Sequence, residues 1–187
     1  MILDVTVGAR KLYHGWDKNL GDELIGIDIR KGDFSIEDEH HWAKAEVIIH
    51  PTVLADMRWL PFRENIFDCI IFDPPHMECG LTSWLGKYYG RWTQSESIQI
   101  TRKANEEFKR VLRPRGLLVL KVMPKQFRTY EAVLKNFVFF LPITTYRARG
   151  AYGKEFRKQE GALWAIAQAK QLDFLKSKGD LEVNVAL

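Results

Sequence analysis

Four residues, Asp73-Pro74-Pro75-His76, follow directly on the apolar run Phe67-Asp68-Cys69-Ile70-Ile71-Phe72. A buried strand that stops on a carboxylate and two prolines places a stiff, acid-bearing turn at a strand end, where open α/β sheets carry their chemistry. The prolines fix φ and remove two backbone N–H donors, so the Asp73 carboxylate and the neighbouring carbonyls form a set of acceptors. Such a set suits a substrate amine, and Asp73, Pro74, Pro75 and His76 are the candidate catalytic residues.

Three more acids close apolar runs: Asp4 after Met1-Ile2-Leu3, Asp28 after Leu24-Ile25-Gly26-Ile27, and Asp56 after Val53-Leu54-Ala55. In a parallel sheet all four carboxylates gather along one edge. An acid after the second strand can accept both hydroxyls of a ribose, because two oxygens face two adjacent donors, and Asp28 is the candidate for that contact. For Asp4 a competing expectation is that it caps its own turn, and for Asp56 that it is a solvated loop acid.

Positioning these groups requires strands joined by helical crossovers, and the chain has that pattern. Apolar runs at 1–5, 24–29, 67–72 and 117–122 read as strands. Pro51 splits another, and only one of its pieces, 46–49 or 53–56, is expected to pair in the sheet because proline removes a ladder donor. Between the fourth and fifth strands, Ile100, Ala104, Phe108, Val111 and Leu112 recur at helical spacing, and Arg113-Pro114-Arg115-Gly116 stops the helix. Further on, 130–136 reads as a short helix, 137–143 as a strand and 162–169 as a strand or helix. The expected class is α/β, one domain over 1–187, with 81–96 as a substrate-side loop or lid and 175–187 as a disordered tail.

Composition narrows the partners. The 187 residues are 46% hydrophobic, enough for a substantial core, and carry a formal charge of +4. That balance favours polyanionic partners without the density of a nucleic-acid-coating protein. Cys69 lies in an apolar strand and Cys79 across the Pro-Pro turn, so a disulfide framework is not expected and a reducing cytoplasm is. No signal peptide or membrane span is read from the sequence. His40-His41 lacks a second ligand pair, and no metal is expected.

The stretch Ser83-Trp84-Leu85-Gly86-Lys87-Tyr88-Tyr89-Gly90-Arg91-Trp92 interleaves aromatics with cations, a make-up able to stack bases and hold phosphates. Trp84, Lys87, Tyr88, Tyr89 and Arg91 are the candidate substrate-binding residues. The same aromatics could instead pack the segment on the core as a surface lid. Arg147, Arg149, Lys154, Arg157 and Lys158 add a basic segment, read either as solvated charge or as an electrostatic path for nucleic acid.

Asp4-Val5-Thr6-Val7-Gly8, Gly26-Ile27-Asp28, Ala55-Asp56-Met57 and Asp73-Pro74-Pro75-His76 resemble, in order, the four motifs of class I S-adenosylmethionine-dependent methyltransferases. More narrowly, Leu60-Pro61-Phe62 and Phe72-Asp73-Pro74-Pro75-His76 are similar to the amine-directed type with Asp-Pro-Pro and an aromatic or histidine, in a small bacterial and phage-type group. The resemblance implies a Rossmann-like fold with a mostly parallel sheet flanked by helices, and S-adenosyl-L-methionine as cofactor. It implies Asp4 near the methionine ammonium, Asp28 on the ribose, Asp56 on the adenine amine, and Thr6, Gly8, Met57 and Asp73 in the same site. One departure is that the first motif retains only Gly8 where two or three glycines are usual. A dinucleotide cofactor is disfavoured, because its pyrophosphate needs a G-x-G-x-x-G turn.

The expected reaction is methyl transfer to an amine, foremost an exocyclic nucleobase amine of RNA or DNA. A protein side-chain amide or a small-molecule amine shares the acceptor geometry, and a non-catalytic nucleic-acid-binding or scaffold subunit is the reading from another class.

Overall fold

The structure is a computed structural model that describes residues 1–8, 23–37, 44–75, 90–147 and 159–170. Its strands are β1 (Ile2–Asp4), β2 (Leu24–Asp28), β3 (Gly32–Glu37), β4 (Lys44–Ile49), β5 (Val53–Leu54), β6 (Phe67–Phe72), β7 (Leu112–Val122), β8 (Phe137–Arg147) and β9 (Gln159–Ala169). Its helices are α1 (Gln94–Val111) and α2 (Phe127–Val133), the latter preceded by a 3-10 turn, Pro124–Gln126.

The short apolar runs form one seven-stranded sheet in the order β5-β2-β1-β6-β7-β9-β8. The pairs β1–β2, β1–β6, β2–β5 and β6–β7 are parallel, whereas β9 runs antiparallel to both β7 and β8. Chain order reverses direction across the sheet between β1 and β6, so the crevice of an open α/β sheet opens at the carboxyl ends of those two strands. Leu3, Ile27, Phe67, Ile70, Phe72, Leu118 and Leu120 are fully buried.

Helix α1 starts where the sequence supplies a capping box: Thr93 Oγ1 accepts the Glu96 N–H at 3.2 Å, and Glu96 Oε2 accepts the Thr93 N–H at 2.7 Å. Its buried stripe, Ser97, Thr101, Ala104, Asn105, Phe108 and Val111, has helical spacing. Phe108 of α1 and Tyr130 of α2 both meet Phe72 edge to face, with centroids 5.4 and 5.8 Å away. The two helices therefore cover the same face of the sheet and wedge the last residue of β6. Arg110 of α1 donates to the carbonyls of Leu60 and Phe62, while Glu107 accepts the Leu60 N–H, which ties the segment after β5 to the helix.

Pro51 separates two pieces as expected, and only Val53–Leu54 enters the large sheet. The other piece, extended to Lys44–Ile49, pairs antiparallel with Gly32–Glu37 in a separate two-stranded sheet that the sequence reading did not include. Residues 113–116 end the helix, yet they belong to β7. The register with β6 jumps from Phe67↔Leu112 to Cys69↔Leu117, so Arg113-Pro114-Arg115-Gly116 bulges from the ladder. Arg115 has φ of 69°, and a Cβ on Gly116 would lie 2.9 Å from the Arg113 carbonyl oxygen, a backbone atom that cannot move aside as a side chain can, which favours glycine there. The short helix begins at Phe127 rather than at residue 130, because Pro124 initiates the turn before it. Residues 162–169 are a strand.

Candidate active site

The parallel strands β1, β2, β5, β6 and β7 deliver their carboxyl ends to one edge, and each brings a charged residue there. Asp4 ends β1 and is 1% exposed; its Oδ1 accepts the Thr6 N–H at 2.8 Å and the Thr6 hydroxyl at 3.3 Å. Thr6 Oγ1 in turn accepts the Asp73 N–H at 2.8 Å, across the point where strand order reverses. Asp73, just past β6, receives Lys121 Nζ of β7 on Oδ2. The four residues Asp4, Thr6, Asp73 and Lys121 thus form one hydrogen-bonded chain spanning three strands.

The acids on the other side of the edge are held by a repeated local device. Asp28 Oδ1 accepts the Arg30 backbone N–H at 2.8 Å and Arg30 Nε at 3.0 Å, and Oδ2 accepts Nη2 at 3.0 Å. Asp56 is held in a similar way by the arginine two residues on: Oδ1 accepts the Arg58 N–H at 2.9 Å and Nε at 3.0 Å, and Oδ2 accepts Nη2 at 2.6 Å and shares Nε at 3.0 Å. Burial opposes ionisation of Asp56, but the hydrogen bonds from the Arg58 side chain and backbone outweigh it and hold the carboxyl below its ordinary range. Both pairs could have been found in the sequence as Asp-x-Arg at 28–30 and 56–58.

Two glycines shape the floor. Gly8 has φ of 48°, the left-handed region that suits glycine. A Cβ on Gly26 would stand 2.6 Å from Val7 Cγ2, so the β1 turn packs directly against the β2 backbone. Pro74 is buried, and Pro75 stands beside Gly90: a Cβ there would lie 3.5 Å from Pro75 Cγ and 3.8 Å from Arg30 Nη1. The Arg30 guanidinium and Pro75 thus both flank Gly90. Met57 is 9% exposed and belongs to the core, and Arg91 is exposed.

Beneath Asp73, the Tyr130 hydroxyl accepts Ser97 Oγ at 2.9 Å. Burial, with Asp73 nearby adding to it, pushes the Tyr130 phenol up to about 12 against the opposing Ser97 bond. Lys121, Arg30 and Arg58 were given no role by the sequence reading. A lysine inside the apolar run 117–122 is itself a signal, since a half-buried cation needs a partner.

His76, Trp84, Lys87, Tyr88 and Tyr89 lie outside the described residues, as do His40-His41, Cys79, residues 149–158 and the 175–187 segment. Among the described residues no group of three or more His, Cys, Asp or Glu is placed to hold a metal ion. No described helix is long and apolar enough to cross a membrane.

No protein-family model matches the sequence, and no curated protein sequence matches it. Solved structures do match. TrmN from Thermus thermophilus aligns with a TM-score of 0.53 at 16% identity over 90% of this chain and 43% of its own. The N-methyltransferase NodS from Bradyrhizobium japonicum WM9 aligns with a TM-score of 0.52 at 14% identity, covering 90% of this chain and 84% of NodS. A SAM-dependent methyltransferase from Aquifex aeolicus gives 0.51 at 14% identity, with 90% and 81% covered. The strand order, the antiparallel β9 and these alignments agree: the chain has the fold of class I S-adenosylmethionine-dependent methyltransferases.

Proposed function

We propose that the chain is an S-adenosylmethionine-dependent N-methyltransferase whose acceptor is an amine, foremost an exocyclic nucleobase amine of RNA or DNA. The observation that carries the reading is the junction of Asp4, Thr6 and Asp73 across the switch point, which sets a cofactor-side acid and a substrate-side acid one threonine apart. NodS, a neighbour in fold, is an N-methyltransferase, which agrees with an amine acceptor.

The residues present fit the cofactor. Asp28 is nearly buried at the end of β2, with both carboxylate oxygens engaged by paired N–H donors, the pattern a ribose diol also offers. In this reading Asp28 holds the ribose, Asp4 the methionine ammonium, Asp56 the adenine amine, and Thr6, Gly8 and Met57 complete the pocket. The cofactor, when bound, supplies a methyl group already activated by the sulfonium.

The protein's task is then orientation, which alone can supply several orders of magnitude. A nucleobase amine is a weak nucleophile because its lone pair is delocalised into the ring. Acceptance of its N–H groups by Asp73 and the Pro74 carbonyl favours a pyramidal nitrogen and stabilises the positive charge that develops there. Lys121 engages Asp73 Oδ2, so Oδ1 is the oxygen assigned to the substrate. His76 is assigned to stack on the target ring, with Trp84, Lys87, Tyr88, Tyr89 and Arg91 on the substrate side. The charge of +4 supports a polyanionic substrate.

Calorimetric titration with S-adenosylmethionine and S-adenosylhomocysteine tests the cofactor, with Asp28→Ala as control. Saturable binding that the variant loses is the expected result; folded protein that binds neither compound overturns the reading. A labelled-methyl screen over RNA, DNA, protein and small amines then tests the substrate. Label confined to the protein or small-amine pools would replace the nucleobase assignment.

A further inference from the structure

The side chain of Arg30 occupies both oxygens of Asp28, the carboxylate assigned above to the ribose. Its Nε and Nη2 form a planar fork on the two oxygens of Asp28, each at 3.0 Å, and its backbone N–H adds a third bond to Oδ1 at 2.8 Å. A carboxylate offers about four lone-pair sites. Oδ1 already accepts two donors and Oδ2 one, so a single acceptor position is left, on Oδ2. One hydroxyl can use that position with Arg30 in place; two adjacent hydroxyls, one to each oxygen, cannot.

From this count we infer that Arg30 is a specificity-determining residue of the cofactor site, an internal competitor that a vicinal diol must displace from Asp28. The inference rests on the assignment of Asp28 to the ribose. The side chain has somewhere to go. It is 29% exposed, and its Nη1, which makes no hydrogen bond among the described residues, already lies beside Gly90 at the rim of the Pro75 turn. The backbone N–H of Arg30 stays on Oδ1 through any such movement, because it belongs to the turn after β2. Asp28 would therefore keep its orientation while the fork is exchanged for the diol.

Arg58 on Asp56 is the internal comparison. Its fork is fuller: Arg58 Nε lies 3.0 Å from both Oδ1 and Oδ2, so with the backbone N–H on Oδ1 and Nη2 on Oδ2 all four acceptor sites of Asp56 are engaged, and an adenine amine would have to take the place of one of those bonds.

The test is calorimetry on the full chain with S-adenosylhomocysteine, adenosine and 2′-deoxyadenosine, comparing wild type with Arg30→Ala and Arg30→Lys. Lysine keeps the charge and lacks the fork. Both variants are expected to bind S-adenosylhomocysteine and adenosine about tenfold more tightly than wild type, the range of one exchanged charge-assisted hydrogen bond. Affinity for 2′-deoxyadenosine is expected to stay within about twofold, since one hydroxyl needs no displacement. An equal gain for 2′-deoxyadenosine, or a gain in the alanine but not the lysine variant, would show a charge effect and overturn the inference. Unchanged or weaker diol binding in both variants, with wild type binding normally, overturns the inference and leaves the cofactor reading standing. Absence of binding in wild type and both variants overturns the two together.

Discussion

The hydroxyl of Thr6 accepts the backbone N–H of Asp73 at 2.8 Å while its own N–H is held by Asp4, so one side chain closes the seam between β1 and β6. That seam is the place where strand order reverses, and the Val5 N–H also donates across it to the Ile71 carbonyl at 3.1 Å. Thr6→Val keeps the shape and removes the acceptor. It is expected to cost about 1–3 kcal/mol, the range for a partly buried donor left without a partner, whereas Thr6→Ser stays close to wild type. Urea unfolding of the three proteins measures the difference, and equal midpoints would show that the bond contributes nothing.

Asp73→Asn keeps a side chain of the same size and loses the charge that Lys121 engages. Methyl transfer is expected to fall about a hundredfold or more, as when one preorganised polar contact to a transition state is removed. A melting temperature within a few degrees of wild type separates this from unfolding. A variant that folds and keeps full transfer would remove Asp73 from the chemistry.

Gly26→Ala puts a methyl group 2.6 Å from Val7 Cγ2 and 2.9 Å from Val7 Cβ. Overpacking of this kind costs about 1–3 kcal/mol. A second change, Val7→Ala, should recover part of that loss, and a double-mutant cycle in denaturant reads the coupling.

Burial, reinforced by Asp68, pushes the Cys69 thiol from its ordinary 9.0 up to about 11, and Tyr130 is pushed from 10.0 to about 12. Between these limits the unfolded chain has released protons that the folded chain still holds, so stability present below pH 9 is lost as pH rises toward 11. Denaturation midpoints taken from pH 8 to 10.5 should fall steadily. Cys69→Ala should flatten the first part of that decline, and an unchanged slope would discount the thiol.

The hydrogen bond from Arg110 holds Glu107 below its ordinary 4.5, with burial opposing and the Leu60 N–H assisting. A depressed carboxylate stabilises the fold above that value and loses its contribution as pH falls through the lowered one. Arg110→Ala also orphans the Leu60 and Phe62 carbonyls, and is expected to cost about 1–3 kcal/mol at neutral pH. Acid titration of the variant should show a weaker dependence below pH 4.5 than wild type.

The edge that carries the candidate site was legible because each acid ends an apolar run: Asp4, Asp28 and Asp73 needed only a parallel sheet to reach one edge, and 67–72 matches β6 residue for residue. Arg30 and Arg58 were harder to read. Two residues beyond an aspartate a side chain ordinarily points elsewhere, and only the turn fixed by the backbone bond to Oδ1 folds the guanidinium back. Strand β3 was missed because Asp33, Ser35 and Glu37 make Gly32–Glu37 polar overall, although Phe34 and Ile36 alternate with them at the period of a strand. The bulge at 113–116 has the composition of a helix stop, and it is one; its return into the β7 ladder depends on pairing with a strand more than 40 residues earlier.

Strand β9 lies between β7 and β8 although it follows both in the chain. During synthesis β7 therefore waits with a bare edge while β8 is made, and β8 has no neighbour within the large sheet to hold it. An unpaired edge recruits other chains as readily as its own. Closure is a late, long-range step of the kind that slows folding, and the eleven residues of β9 act as a bolt slid home last.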